Sequence, residues 1–233
     1  MSAEIETPPV YSSPNYLFDN GPWYNSEGTG AGGADESILQ SWGDTFGYGF
    51  QWVLDYRLAD DFQVPAGSEW EVHSITFCAY QTGSTVYPTI DAMYLAVYDD
   101  VPTTGEIVAG DPFANVMTSA VWSLIYRVNF DDSGNTDRPM MACTASLPVP
   151  WVFSEGNYWL SMQADGSLSL GPWNPPVVIW DQMETGNGIQ SFDGGITWTP
   201  VYNGGHAQGL TFYLEGSALT LQQETWGSIK SMF

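Results

Sequence analysis

Basic side chains are nearly absent from this sequence. Its 233 residues include 4 Lys and Arg against 27 Asp and Glu, which gives a formal charge of −23 at pH 7. Nucleic-acid affinity comes mainly from Lys and Arg that neutralise phosphates, and anionic membranes repel a surface of this sign. The composition therefore excludes nucleic-acid binding and argues against a protein that binds an anionic membrane surface.

Cysteine, histidine and long apolar runs are also scarce. Cys78 and Cys143 each lie in a segment with a strand pattern, so they could form one disulfide if their strands are adjacent, or both could be small buried side chains. Neither belongs to a CxxC motif, and the two histidines are too few for a three-His metal site. No run approaches the roughly 18 apolar residues of a membrane span.

The N-terminus has no basic stretch followed by an apolar one, so it is not a signal peptide as it stands. A mature secreted protein with an added initiator Met would begin in this way, and so would a cytosolic protein.

Apolar and polar side chains alternate in short segments separated by Gly, Pro and Asn turns. This period of two indicates strands with one face toward a core, as in 122–130, 158–162 and 210–214. Helical periodicity is almost absent. The pattern predicts an all-β protein, an antiparallel β-sandwich of jelly-roll-like form, with one short C-terminal helix.

No internal repeat or linker divides the chain, which favours one domain. We expect an extended segment over 1–15, a β-sandwich over 16–217 and a tail over 218–233. The helix is expected at 222–233, where apolar side chains recur at helical spacing.

Two carboxylates interrupt an apolar run near the start of the predicted domain. The segment 57–80 has the composition of a strand, a Pro-Ala-Gly-Ser turn and a second strand. Asp60 and Asp61 lie in the first of these strands. Hydrogen-bond donors must satisfy either carboxylate if it is buried.

One acidic loop has the spacing of a calcium-binding loop. Oxygen-bearing side chains recur at alternate positions in Asp131, Ser133, Asn135 and Asp137, as in loops that wrap Ca²⁺. The sequence is not an EF-hand, and a polar hairpin turn has the same composition. The loop is therefore a candidate calcium site with a plain turn as its alternative.

The loops of the C-terminal third combine flat aromatic faces with amide and carboxylate groups. This combination suits a sugar, whose C–H face packs on a ring while its hydroxyls take hydrogen bonds. Trp173, between prolines, is expected to be exposed. The candidate ligand-binding residues are Trp173, Asn174, Trp180, Asp181, Trp198, Tyr202, Asn203 and His206.

Several motifs resemble a family of secreted bacterial β-sandwich domains without an established activity. They include Ala59-Asp60-Asp61-Phe62-x-Val64-Pro65-x-Gly67, Tyr158-Trp159-Leu160 and Gly171-Pro172-Trp173. The resemblance implies a jelly-roll-like fold and an extracellular or cell-surface setting. It implies no catalytic residues, because none are recognised in that family.

Three functions remain open at this point. The first is a secreted, non-catalytic module that binds polysaccharide or another glycan, stabilised by Ca²⁺. The second is a surface or fibre protein that assembles into a homo-oligomer when residues 1–15 add a strand to a neighbouring sheet. The third is a glycoside hydrolase acting through two carboxylates. We favour the first function over the second. The hydrolase has the least support, because acidic residues are so numerous that finding a pair carries no information.

Overall fold

The structure, a computed structural model, describes residues 16–220. Strands make up 55% of it and helical residues 3%, its sheets are open, and it contains no helix of seven or more residues. The mostly β composition predicted from the alternating pattern is therefore confirmed. The extended segment 1–15 and the helix at 222–233 lie outside the described residues, so both stay predictions. The last strand continues to Thr220, three residues past the expected domain boundary at 217.

No helix within 16–220 combines the length and the apolar character that crossing a membrane requires.

Fourteen strands follow one another within this part of the chain. Their bounds are β1 Tyr16–Asn20, β2 Asp35–Leu39, β3 Tyr48–Gly49, β4 Arg57–Ala79, β5 Ile90–Tyr98, β6 Ile107–Asp111, β7 Ser119–Asn129, β8 Pro139–Gly166, β9 Trp173–Asn174, β10 Ile189–Ser191, β11 Thr199–Pro200, β12 Tyr202–Asn203, β13 His206–Ala207 and β14 Phe212–Thr220. Two single-turn 3₁₀ helices cover Ala31–Gly33 and Trp52–Leu54.

Ten of the strands form one sheet around the long central pair β4 and β8. Beside the first half of β4 the order is β11-β10-β4-β8-β5-β6, and beside its second half it is β1-β14-β4-β8-β7-β2. All of these neighbours are antiparallel except β2 and β7, which run parallel. The β2–β7 contact is the one parallel pair among these strands and lies at one edge of the sheet.

The predicted turn after Val64 is a bulge within one strand. Val64 pairs with Gly156 and Glu69 pairs with Ser154, so residues 65–68 of β4 lie opposite the single residue Glu155. Gly67 has a φ of +74° and its N–H donates to a Glu155 carboxylate oxygen at 2.6 Å. Because this hydrogen bond holds the bulge against β8, the chain continues in the same direction after residue 68. The expected pair of strands is one strand of 23 residues.

The main core takes side chains from both halves of the central strands. Leu58 and Phe62 from the first half of β4 belong to the same buried cluster as Ile75 and Phe77 from its second half. Phe62 also stacks on Trp70 across the bulge, with 6.3 Å between ring centroids. Burial of such side chains stabilises the fold by about 1.5–3 kcal/mol each.

The two cysteines lie on opposite faces of the sheet. Phe77 pairs with Cys143 and Cys78 pairs with Ala142, and successive strand residues point to opposite faces. Cys143 therefore packs in the main core, while Cys78 packs in a second cluster on the other face. Both are free and buried. The disulfide alternative is wrong, and the alternative of two small buried side chains is confirmed.

We expect neither thiol to react with a disulfide reagent in the native protein, and both to react in concentrated guanidinium chloride without a reductant. Burial raises the pKa of both thiols, which suppresses the reactive thiolate. Thiol titration with a chromogenic reagent measures this, with a fully reduced sample as the control. Absence of reactive thiol in the unreduced, denatured sample would contradict the arrangement.

Candidate functional site

A surface cavity of about 160 Å³ opens beside β1 and β14. We call it the aromatic cavity. Its lining residues are Tyr16, Asp19, Pro22, Trp23, Tyr24, Ile125 and Tyr213. Pockets for drug-sized ligands typically enclose about 300–1,000 Å³, so this cavity fits a small ligand or one ring of a larger one.

Strand alternation separates the cavity from the core. Asp19 lies opposite Tyr213 across the β1–β14 pair, and both line the cavity. Phe18 and Phe212, one residue away on each strand, point to the other face, where their rings contact at 5.4 Å between centroids. The pairing of β1 with β14 therefore places an aromatic ring and a carboxylate side by side.

Three rings form the wall of the cavity. The Tyr213 ring lies 4.6 Å from that of Tyr16 and 5.5 Å from that of Trp23, measured between centroids, and it stacks on Trp23 at 25°. Tyr24, which is 38% exposed, adds a fourth ring. Because Trp23 and Tyr213 are buried, the ring of this wall with the most accessible surface is that of Tyr24.

The cavity carries negative charge. Burial raises the pKa of Tyr16, and the charges of Glu215 and Asp19 raise it further. Burial also raises the pKa of Asp19. The Asp19 side chain is exposed where it lines the cavity. Such a site can pack a sugar ring on its aromatic wall and accept hydrogen bonds from hydroxyls or amines.

Sequence reasoning did not identify this cavity. Its two aromatic strands are joined only in the fold, because Tyr16 and Tyr213 lie at opposite ends of the described chain. The one local signal is the density of aromatic residues in 16–24.

Trp173 and Asn174 do not form an exposed ligand surface. They make up β9, which pairs with β3. Asn174 is fully buried, and its amide donates to the Cys78 carbonyl at 2.8 Å. Trp173 is partly buried against Gly49, instead of exposed as expected. The flanking prolines place this segment within the fold.

Four other predicted residues lie outside the large sheet: Trp180 and Asp181 in a loop, Tyr202 in β12 and His206 in β13. The Asp181 N–H donates to the Gln40 side chain at 2.8 Å, and the His206 ring lies edge-on to Trp42 at 5.8 Å. Trp180 and Tyr202 are each 52% exposed. We call the exposed side chains of Trp180, Asp181 and Tyr202 the loop surface.

Asn203 and Trp198 have local structural roles. Asn203 is buried, and its side-chain oxygen accepts hydrogen bonds from the N–H groups of Asp44 and Thr45 at 2.8 and 3.0 Å. The Trp198 indole donates to the Gly195 carbonyl at 3.0 Å, in a different loop. The predicted ligand-binding residues are therefore divided among β9, the region of the loop surface with β12 and β13, and the loop that contains Trp198.

The candidate calcium loop is held by hydrogen bonds. The Ser133 hydroxyl and the Gly134 N–H donate to the buried Glu36 carboxylate at 2.7 and 2.6 Å. Asn135 accepts from the Asp137 N–H at 2.8 Å, and Asp131 is exposed. Burial raises the pKa of the Glu36 carboxyl, but the hydrogen bonds that it accepts lower this pKa below its usual value.

Residues 16–220 contain no group of three or more His, Cys, Asp or Glu that could hold a metal. Calcium binding stays a prediction.

Asp60 is the carboxylate with the most perturbed acidity, and it lies inside the fold. Its oxygens accept from the Asn20 amide at 2.8 Å, the Leu210 N–H at 2.7 Å and the Asp61 N–H at 2.9 Å. Burial raises its pKa to about 7 against the effect of these donors. It does not line the aromatic cavity. Its hydrogen bonds indicate a structural role, joining β1 and the segment just before β14 to β4.

No family model, curated protein or solved structure matches this chain. The aromatic cavity and the loop surface are therefore judged on their own chemistry.

Proposed function

We propose that the protein is a secreted or cell-surface, non-catalytic module that binds a glycan, and that the aromatic cavity is its binding site. One observation carries this proposal: the rings of Tyr16, Trp23 and Tyr213 form a continuous wall beside the Asp19 carboxylate. Neutral or amino sugars suit this site, because its carboxylates repel acidic ones. The resemblance to secreted bacterial domains supports the extracellular setting.

We also infer that the sheet forms an antiparallel, jelly-roll-like β-sandwich. The two halves of the central strands β4 and β8 bend at their bulges, and both contribute to one core cluster. Loops and strand ends at the rim of such a sandwich are common ligand sites.

Assembly is the second candidate, favoured by an exposed strand edge. Within the described chain β6 ends the sheet, and its side chains Ile107 and Val108 are largely exposed. A sheet edge of this kind can accept a strand from another chain. The donor segment expected for this role, residues 1–15, lies outside the described residues.

The glycan proposal predicts that Tyr24→Ala and Asp19→Asn each weaken binding at least about tenfold, equivalent to about 1.4 kcal/mol. The first removes a ring face and the second removes a charged acceptor. An array of neutral, amino and acidic oligosaccharides finds the ligand, and calorimetry on the best hit compares the variants. Both side chains are exposed, so neither change disturbs the core.

Tyr202→Ala is the matched control, because it removes from the loop surface a ring that is more accessible than that of Tyr24. Its affinity should equal that of the wild type. Loss of binding in Tyr202→Ala or Trp180→Ala, with the cavity variants unaffected, would move the site to the loop surface. An array without any hit for the wild type would contradict glycan binding itself.

A further inference from the structure

Arg57, the first residue of β4, is a mostly buried cation whose Nε has no hydrogen-bond partner. It is 5% exposed. In the part of the chain that the structure describes, no carboxylate forms an ion pair with it. A buried charge without hydrogen bonds destabilises a fold. Arg57 therefore has unused binding capacity in a chain rich in carboxylates.

The contrast with Arg127 shows that the fold can satisfy a buried arginine. Arg127 is fully buried and donates to the carbonyls of Phe46, Ser37 and Thr45 at 2.8, 3.2 and 3.2 Å. Its guanidinium is thus bound by backbone dipoles in place of a carboxylate. No comparable set of acceptors surrounds Arg57.

The Arg57 guanidinium lies beside an exposed aromatic ring and a closely approaching glycine. Its Cζ lies 5.5 Å from the centre of the Phe113 ring, which is itself 72% exposed. Gly195, with a φ of +93°, approaches the guanidinium so closely that a Cβ there would lie 3.4 Å from Nη1. A glycine at this position keeps side-chain atoms away from the cation.

The carboxylate in the turn of the β10–β11 hairpin is engaged in hydrogen bonds of its own. Asp193 accepts from the Thr197 hydroxyl and N–H at 2.6 and 2.8 Å and from the Ser191 hydroxyl at 2.8 Å. These bonds lower the pKa of Asp193 to about 2. The hairpin β10–β11 thereby holds its own carboxylate in the turn and leaves Arg57 unpaired.

We propose that Arg57 anchors a second ligand site, the arginine site, which binds the carboxylate of a uronate sugar while the sugar ring packs on Phe113. A guanidinium matches a carboxylate in a two-bond geometry, and an exposed ring face suits the C–H side of a sugar. This site differs in charge from the aromatic cavity and shares no lining residue with it, so the proposal stands independently of that cavity.

The test compares trigalacturonate, its methyl ester and acetate as probes in calorimetric titrations of the full chain. We expect the wild type to bind trigalacturonate and to lose at least about tenfold in affinity for the ester, because the ester lacks the charged partner of Arg57. Acetate, which lacks the ring, should bind at least about tenfold more weakly as well. Tyr24→Ala should bind trigalacturonate as the wild type does, which separates this site from the aromatic cavity.

Arg57→Met supplies a second, independent readout. It should abolish trigalacturonate binding while its melting temperature stays equal to or above that of the wild type, because the unpaired cation is removed. A lower melting temperature without any wild-type binding of trigalacturonate would show that Arg57 is only structural. Equal affinities for acetate and trigalacturonate would show an anion site that does not recognise sugar, and would also overturn the proposal.

Discussion

Asp60→Ala should destabilise the protein by about 3–5 kcal/mol. The substitution leaves the Asn20 amide and the N–H groups of Leu210 and Asp61 without their acceptor. A buried donor that loses its partner costs about 1–3 kcal/mol, and the Leu210 bond is fully buried. Chemical denaturation followed by tryptophan fluorescence measures the free energy of unfolding.

Two neighbouring variants make this prediction specific. Asp60→Asn keeps one oxygen and should cost less than the alanine change. Asp61→Asn is the matched control, because Asp61 is partly exposed and no described residue donates to its carboxylate. It should change stability by less than about 0.5 kcal/mol. Equal effects at positions 60 and 61 would contradict the role assigned to Asp60.

The same carboxyl group should make the wild type more stable as the pH falls from 8 to 5. Burial raises the pKa of Asp60 in the folded protein to about 7 from 3.8, so between these values folding takes up a proton. Its contribution is fully present below pH 3.8 and is lost as the pH rises through 7. Between pH 8 and pH 5 the gain in unfolding free energy from this group amounts to about 3 kcal/mol. Asp60→Asn should abolish this gain. An equal slope in both proteins would refute the assignment.

Arg127→Met should destabilise the protein by about 2–4 kcal/mol. Four hydrogen bonds from its guanidinium join β7 to Ser37 of β2 and to the carbonyls of Thr45 and Phe46. Burial lowers its pKa to about 10, so the side chain remains charged at neutral pH. Removal of the guanidinium leaves these buried carbonyls without donors. Chemical denaturation at neutral pH measures the resulting loss in the free energy of unfolding.

Arg57→Met is the control for this second experiment. Both substitutions replace a buried arginine with methionine, but only Arg127 donates hydrogen bonds to backbone carbonyls. We expect Arg127→Met to unfold at lower denaturant and Arg57→Met to retain wild-type stability. A similar loss in both would mean that burial of the aliphatic stem, rather than hydrogen bonding, explains the effect of Arg127.

The strands were predictable from the alternating pattern, but the solvent-facing side was not, because the polar residues Ser123 and Arg127 of β7 and Ser161 and Gln163 of β8 are buried. The alternation in 122–130 lies in β7 and that in 158–162 lies in β8. The bulge at 65–68 was not predictable, because its Pro-Ala-Gly-Ser composition is also that of a hairpin turn. Only the pairing with Glu155 distinguishes the two.

The candidate site was the least predictable part. The sequence contains residue types that bind sugars, but the side chains of Asn174 and Asn203 are buried and form hydrogen bonds to the backbone instead. The aromatic cavity needs β1 beside β14, a contact between distant segments that no local pattern encodes. Likewise, Cys78 and Cys143 lie in adjacent strands, and only their register shows that they face apart.

The sequence by itself determined the mostly β architecture and the strongly negative charge, because these depend on composition and on the local period of two. The tertiary structure decided which carboxylates and arginines are satisfied and where aromatic rings meet. Those properties depend on register and on contacts between distant segments, which fix the neighbours of each polar group. The contrast between Arg57 and Arg127 is one such case.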